Sequence, residues 1–403
     1  MKKAMLPLLM LLHLVVLLCP FSAPAEEEIF VPLSVGSKGK TVVQVKERLY
    51  ELGYLKGSQF TQKYTESTAE TVRSFQQVNG LPETGETDGQ TWALLFSDRA
   101  LKAPRPTLPP LATPAPLPEP DWPPRDPEGY LAEGAEYFYE NDEAGLWIYL
   151  GPNLQVTITR REDSAIPLEW FETEIRTRRG ETFRAAQTDP ERPGKQYQYP
   201  YVISRKERFV LSFSDDFFAT RMHSGETVGI IIREGQLISD KTNRKNGHHL
   251  PNLDIMAQFP DGSLRVFQCS EHTAEELLAM GAVNVFSFGP ILLRDGEIND
   301  LVYSYYKSIE PRQAFGMIAP GHYFLLSVQG RRSDSKGTTL QRMAEIMKER
   351  GVQQALNLDG GNTMALVFRG RMLNKLAVYK KKEFVRTVTS LIGIGRTENQ
   401  SEE

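Results

Sequence analysis

Two cysteines in 403 residues exclude a disulfide-rich scaffold and a four-cysteine zinc site. A formal net charge of −4 gives no broad basic field, so nucleic acid is not an expected partner. Beyond the first 25 residues no apolar run approaches the roughly 20 residues that a membrane span needs. Composition is otherwise ordinary, at 40% apolar and 24% charged. That excludes a wholly disordered, collagen-like or coiled-coil chain and supplies enough apolar surface for a sizeable core.

The first 25 residues have the pattern of a secretory signal. Lys2 and Lys3 give a positive start, Met5 to Leu18 is almost wholly apolar, and Ala23-Pro24-Ala25 is a small-residue cleavage site. The apolar run is too short for a membrane anchor. Cleavage at Ala25 removes Cys19 and two lysines, takes the charge from −4 to −6, and leaves Cys269 as the lone thiol. Its expected role is that of a small buried apolar side chain. The mature chain is expected to be secreted, wall-associated and without a membrane partner.

Pro104 to Pro127 holds 11 of the 26 prolines. Such a stretch cannot form a helix or a central strand. It predicts a semi-rigid spacer, about 70 Å long if fully polyproline-like. The small segment before it, residues 32–97, predicts three short helices. Val42, Val45, Leu49 and Leu52 share one helical face that Gly53 ends. Ser67 with Glu70, and Thr87 with Gln90, are candidate capping boxes. No acid–base pair or nucleophile stands out there, which suits a binding module.

The large segment, residues 129–396, predicts a mixed α+β domain with a mainly antiparallel sheet. Glu234-Gly235, Asp261-Gly262 and Asp295-Gly296 each separate two apolar runs, and glycine at such a pair accepts the positive φ that a tight hairpin needs. Helices are expected over Thr273–Met280 and Thr338–Arg350, the second with Thr338 and Gln341 as its capping box. Residues 129–209 are expected to complete the sheet.

Four blocks could carry chemistry. In Asn357-Leu358-Asp359-Gly360-Gly361-Asn362-Thr363 an apolar strand ends in an acid, two glycines and small polar residues. Asp359 is thereby held on a rigid strand end, and the glycines let backbone amides approach a ligand. The second block is Phe286-Ser287-Phe288-Gly289-Pro290. The third joins Pro311-Arg312 to Gly330-Arg331, and arginines beside glycine turns suit a phosphate or carboxylate. The fourth is Ser214-Asp215-Asp216 within an aromatic run, where a buried acid must be paired or functional.

In this order the blocks resemble the phosphodiester glycosidase family, which includes the enzyme that uncovers mannose 6-phosphate on lysosomal proteins. The resemblance runs from about Val210 to Arg396. It implies hydrolysis of a sugar 1-phosphodiester at the sugar C1–O bond, with release of free sugar from a phosphodiester-linked glycan. It further implies Asp359 and Asp216 as the catalytic carboxylates and Arg312 and Arg331 as phosphate clamps. Asn357, Gly289, Gly360, Gly361 and Thr363 would shape the substrate pocket. No cofactor and no metal are implied. The chain departs from the family pattern at Gln329, Met364 and Ala365. The small segment resembles a peptidoglycan-binding domain of the three-helix type, through Leu33 to Gly39, Gly53-Tyr54-Leu55, the Thr68–Val72–Phe75 run, Gly80-Leu81 and Thr91-Trp92. Peptidoglycan is the partner that this implies.

Three other readings start from the same residues. A zinc peptidase would use His248-His249, although adjacent side chains point apart. An L,D-transpeptidase would use Cys269 with His272. A non-catalytic, wall-anchored glycan-binding protein would bind the sugar without turnover.

Overall fold

The computed structural model describes residues 31–55, 60–105, 107–178, 181–246, 250–304, 308–379 and 382–401. The signal-like residues 1–25 and the His248-His249 pair lie outside them. The chain divides into two compact units, one of residues up to 48 together with 61–101, the other of residues 49–60 together with 102 onward.

The three N-terminal helices are Lys40–Glu51, Glu66–Val78 and Gly89–Leu95. Val42, Val45, Leu49, Val72 and Phe75 are buried, as the helical spacing requires. The caps sit one or two residues from the expected ones. Thr65 and Thr68 form the capping box of the second helix, and Asp88 caps the third by accepting from the Thr91 N–H at 2.7 Å. Several hydroxyl or acidic residues precede each helix, and the backbone selects the one whose φ/ψ is extended.

The second unit is mixed α+β. A nine-stranded sheet runs, in spatial order, Tyr137–Asn141, Leu146–Leu150, Leu154–Asp163, Leu168–Thr177, His322–Val328, Arg312–Ala319, Gln354–Leu358, Ile291–Arg294 and Glu297–Ile298. A five-stranded sheet is built of Leu264–Phe267, Asp254–Gln258, Asn284–Phe288, Gly229–Arg233 and Gln236–Lys241. Another is built of Arg371–Met372, Leu366–Phe368, Leu211–Phe213, Ser390–Ile394 and Arg184–Gln187. The described pairings are antiparallel, and residues 137–177 do extend the main sheet. The turns at Glu234-Gly235 and Asp295-Gly296 have positive φ at both positions, the geometry that tight hairpins take.

One core lies among the three sheets. Phe183, Phe213, Phe315 and Tyr323 pack at its centre, with Phe183–Phe315 centroids 4.8 Å apart. The other face of the main sheet is covered by the helix Leu340–Glu349, through Leu340, Met343, Ile346 and Met347. Its cap is Thr339, not Thr338. Thr338 is held extended, exchanging backbone hydrogen bonds with Glu310 at 2.9 and 3.2 Å. A short helix, Pro200–Glu207, carries no side-chain cap and gave no sequence signal beyond its first proline.

The proline segment is not a free spacer. Leu111 packs against the cluster under the long helix, and the Ala112 N–H donates to Asp163 at 2.9 Å. That bond is the largest of the influences holding the Asp163 carboxyl below the ordinary aspartate range. Trp122 joins the cluster of Leu131, Leu146, Ile148 and Leu150. Cys269 is half-buried rather than fully enclosed.

Candidate active site

Register brings the chemistry together. Gln313 pairs with Leu358 and Ala314 with Asn357, so one further step along both strands places Arg312 opposite Asp359 at the same sheet end. Gly289 arrives from the neighbouring strand, its N–H donating to the Asn357 carbonyl at 3.0 Å. These ends enclose a cavity of about 310 Å³. Its lining includes Phe288, Glu310, Arg312, Arg331, Asn357, Asp359, Gly360, Gly361 and Arg386.

Close backbone packing fixes this end of the sheet. A Cβ on Gly360 would stand 2.6 Å from the Pro311 carbonyl oxygen. A Cβ on Gly337 would stand 2.4 Å from the Glu310 carbonyl carbon, at φ +107°. Neither position admits another residue without moving the segment that carries Glu310 and Arg312.

Asp359 is half-buried just past its strand. Its N–H donates to the Asp215 carbonyl at 3.2 Å, and its Oδ1 accepts from the Gly360 N–H at 2.9 Å. Arg312 donates through Nε to the Thr338 carbonyl and through Nη2 to the Ser308 carbonyl, both at 2.9 Å. Arg331, at φ +58°, donates through Nε to Glu310 at 2.8 Å and through Nη1 to Asn362 at 2.5 Å. Asn357 is buried and anchored by its Nδ2 on the Gly289 carbonyl at 2.8 Å. Its Oδ1 has no hydrogen-bond partner among the described residues, and an unmet buried acceptor costs about 1–3 kcal/mol. Thr363 is buried and accepts from Arg386 Nη1 at 3.2 Å.

Asp216 is placed elsewhere. It is not among the lining residues and is fully buried, in an ion pair with Arg233. The same guanidinium donates to the Val285 carbonyl at 2.6 Å and lies over the Phe286 ring. The block that contains Asp216 still reaches the site. The Ser214 hydroxyl donates to the Thr363 carbonyl at 2.9 Å and accepts from the Ala365 N–H at 2.8 Å, while the Asp215 carbonyl holds the Asp359 amide. Gln329 is also structural. Buried, it donates to Glu169 and accepts from the Lys375 N–H.

The sequence reading missed Glu310 and Arg386. Neither follows a glycine turn. Only the return of the C-terminal segment to the sheet brings Arg386 to the cavity, where its N–H donates to the Asn362 carbonyl at 3.3 Å.

Behind Gly289 stands Asp254, whose carboxyl is pushed up chiefly by burial, against the Ile291 and Cys269 amides that favour its ionised form. A carboxyl raised in the folded state contributes full stability below the ordinary aspartate value and loses it as pH rises through the folded value. Asp254→Asn is therefore expected to raise the melting temperature relative to wild type at pH 7 and much less at pH 4. Thermal unfolding at both values checks this, and an equal difference at the two would refute it.

Residues 208–395 match the phosphodiester glycosidase family. Residues 38–95 match the peptidoglycan binding domain family. The chain is similar to the SPbeta prophage-derived uncharacterized protein YomE of Bacillus subtilis (strain 168), at 27% identity over 169 residues, 41% of this chain and 26% of the relative. It is similar to the N-acetylglucosamine-1-phosphodiester alpha-N-acetylglucosaminidase of Mus musculus, at 24% identity over 38% of this chain and 31% of the relative. The Bos taurus enzyme of the same name is 26% identical over 38% of this chain and 30% of its own length. The chain thus spans between about a quarter and a third of the curated relatives that it matches. A solved structure, the zebrafish catalytic domain of that enzyme, overlaps 61% of this chain and 85% of its own at 21% identity, with a TM-score of 0.49. No described helix is long and apolar enough to cross a membrane.

Proposed function

We propose that the chain is a secreted, wall-associated glycosidase that hydrolyses a sugar 1-phosphodiester at the C1–O bond. The observation that carries this reading is a single cavity in which Asp359 stands among Arg312, Arg331 and Arg386. A carboxylate beside clustered guanidinium groups suits a substrate that develops positive charge on a sugar ring while negative charge gathers on phosphate. Water adds its oxygen to C1, the C1–O bond breaks, and its electron pair leaves with the phosphate as a phosphomonoester. Such a leaving group is already stabilised, which lessens the need for a general acid.

In this reading Asp359 stabilises the ring cation or takes the proton of the attacking water. Asp216 supports the site from its buried pair with Arg233. The unmet Oδ1 of Asn357 accepts from a sugar hydroxyl or an acetamido N–H. Gly289, Gly360 and Gly361 shape the wall. The names of the mouse and bovine relatives favour N-acetylglucosamine 1-phosphodiesters as the substrate class. The helical unit holds the enzyme on peptidoglycan and raises its concentration near phosphodiester-linked polymers.

The test is product identity. The protein is incubated with UDP-N-acetylglucosamine and with a simple alkyl ester of N-acetylglucosamine 1-phosphate. Free N-acetylglucosamine is the expected product. Sugar 1-phosphate would place the cut on the other side of phosphorus and overturn the bond assignment. Binding without either product would mark a glycan-binding protein.

A further inference from the structure

We propose that Arg386 is the principal phosphate-recognising residue of the cavity, and that Thr363 is a positioning residue that aims it. The assignment rests on reading the cavity as the place where a sugar phosphodiester binds. The three arginines there are not equivalent. Arg331 faces the Glu310 carboxylate at 2.8 Å, so its charge is already balanced. Arg312 uses Nε and Nη2 to tie the Thr338 and Ser308 backbone together, so much of its fork is spent on the fold. Arg386 is half-buried, and its described side-chain bond is to a neutral hydroxyl, Thr363 Oγ1, at 3.2 Å. A guanidinium presents five N–H donors in a rigid fork. One bond to a hydroxyl leaves a pair of donors that matches two phosphate oxygens.

The backbone supports this aim. The Arg386 N–H is held by the Asn362 carbonyl at 3.3 Å, and Val388, two residues on, exchanges backbone bonds with Gln198 at 2.8 and 2.9 Å. Thr363 is buried, and its N–H donates to the Gly360 carbonyl at 3.0 Å. The turn that carries Asp359 therefore also sets the direction of Arg386. A diester phosphate bears one negative charge, whereas the departing monoester acquires a second as the C1–O bond breaks. A guanidinium aimed there binds the leaving monoester better than the diester, which lowers the barrier more than it tightens substrate binding.

The test titrates inorganic phosphate and methyl phosphate calorimetrically into the full chain, alongside turnover of the alkyl phosphodiester. Arg386→Gln is expected to weaken phosphate binding about 10- to 100-fold, the range that loss of a charge-assisted pair implies. The same variant should lower kcat more than it raises KM. Arg386→Lys should recover part of the affinity, because charge remains but the fork does not. Thr363→Val should weaken phosphate binding several-fold while Thr363→Ser retains it, a pattern that a purely structural hydroxyl would not give. Undiminished phosphate binding in Arg386→Gln, with an active wild type, overturns this assignment and leaves the glycosidase reading intact. Lost phosphate binding beside an inactive wild type upholds the assignment and sinks that reading. A wild-type chain that binds neither phosphate nor methyl phosphate at millimolar concentration also overturns the assignment.

Discussion

Asp359→Asn is expected to lower release of free sugar at least about 10³-fold while leaving a folded protein, because a positioned carboxylate at the reacting carbon supplies that much in charge stabilisation or proton transfer. The substitution is close to isosteric. Asparagine keeps an Oδ1 to accept from the Gly360 amide, and the bond from the residue 359 amide to the Asp215 carbonyl involves backbone alone. The melting temperature should therefore move little. The informative comparison is kcat for the phosphodiester against phosphate affinity measured separately. If Asp359 acts at the sugar, kcat collapses while phosphate binding holds or tightens with the loss of a neighbouring negative charge. A folded variant with full activity would remove Asp359 from the mechanism.

Arg233→Met is expected to cost about 3–5 kcal/mol of stability, because it takes the guanidinium away from Asp216 and strands a charge in the core. Asp216 is fully buried and Arg233 nearly so. For a domain of this size the melting temperature should fall by roughly 10 °C. Pairing the change with Asp216→Asn removes the nearer of the two buried carboxylates that Arg233 faces, Asp215 standing 3.8 Å away, and should restore part of that loss. The same double variant separates two roles for Asp216. A supporting role predicts substantial activity once the fold is regained; a reacting carboxylate predicts a stable, inactive protein. Chemical denaturation and product release, measured on the same preparations, decide between them.

The parts legible in the sequence were those written locally. The X-Gly hairpins depend on two residues and their φ angles, and they stand where the dipeptides put them. The Asn357–Thr363 block and Arg312 could be singled out because the order and spacing of the blocks resemble those of a known family, and the register of their two strands delivers them to one sheet end. Helix caps were displaced by one residue or two because neighbouring hydroxyls compete. Thr338 lost the cap to Thr339 because the bridge to Glu310 leaves Thr338 outside the first turn, where Thr339 is the residue whose hydroxyl accepts from the Arg342 N–H. What could not be read was set by long-range geometry. Nothing near Asp216 announces that Arg233 will neutralise it, and nothing near Arg386 announces that its segment folds back onto the Thr363 turn. Nothing near Glu310 in the sequence announces that Arg331 will stand against it.

Leu168–Thr177 pairs with His322–Val328 across seven residue pairs, yet it lies outside the stretch shared with the phosphodiester glycosidase family, as does Arg184–Gln187 against Ser390–Ile394. The recognisable portion is therefore shorter than the portion that can be excised. A fragment starting at residue 208 would bare the long edge of His322–Val328, a row of backbone donors and acceptors open to any passing strand. Recombination that carried only the recognisable stretch into a new host protein would deliver an aggregating piece. To travel between proteins as a working unit, the chemistry must bring with it a splint of less distinctive sequence.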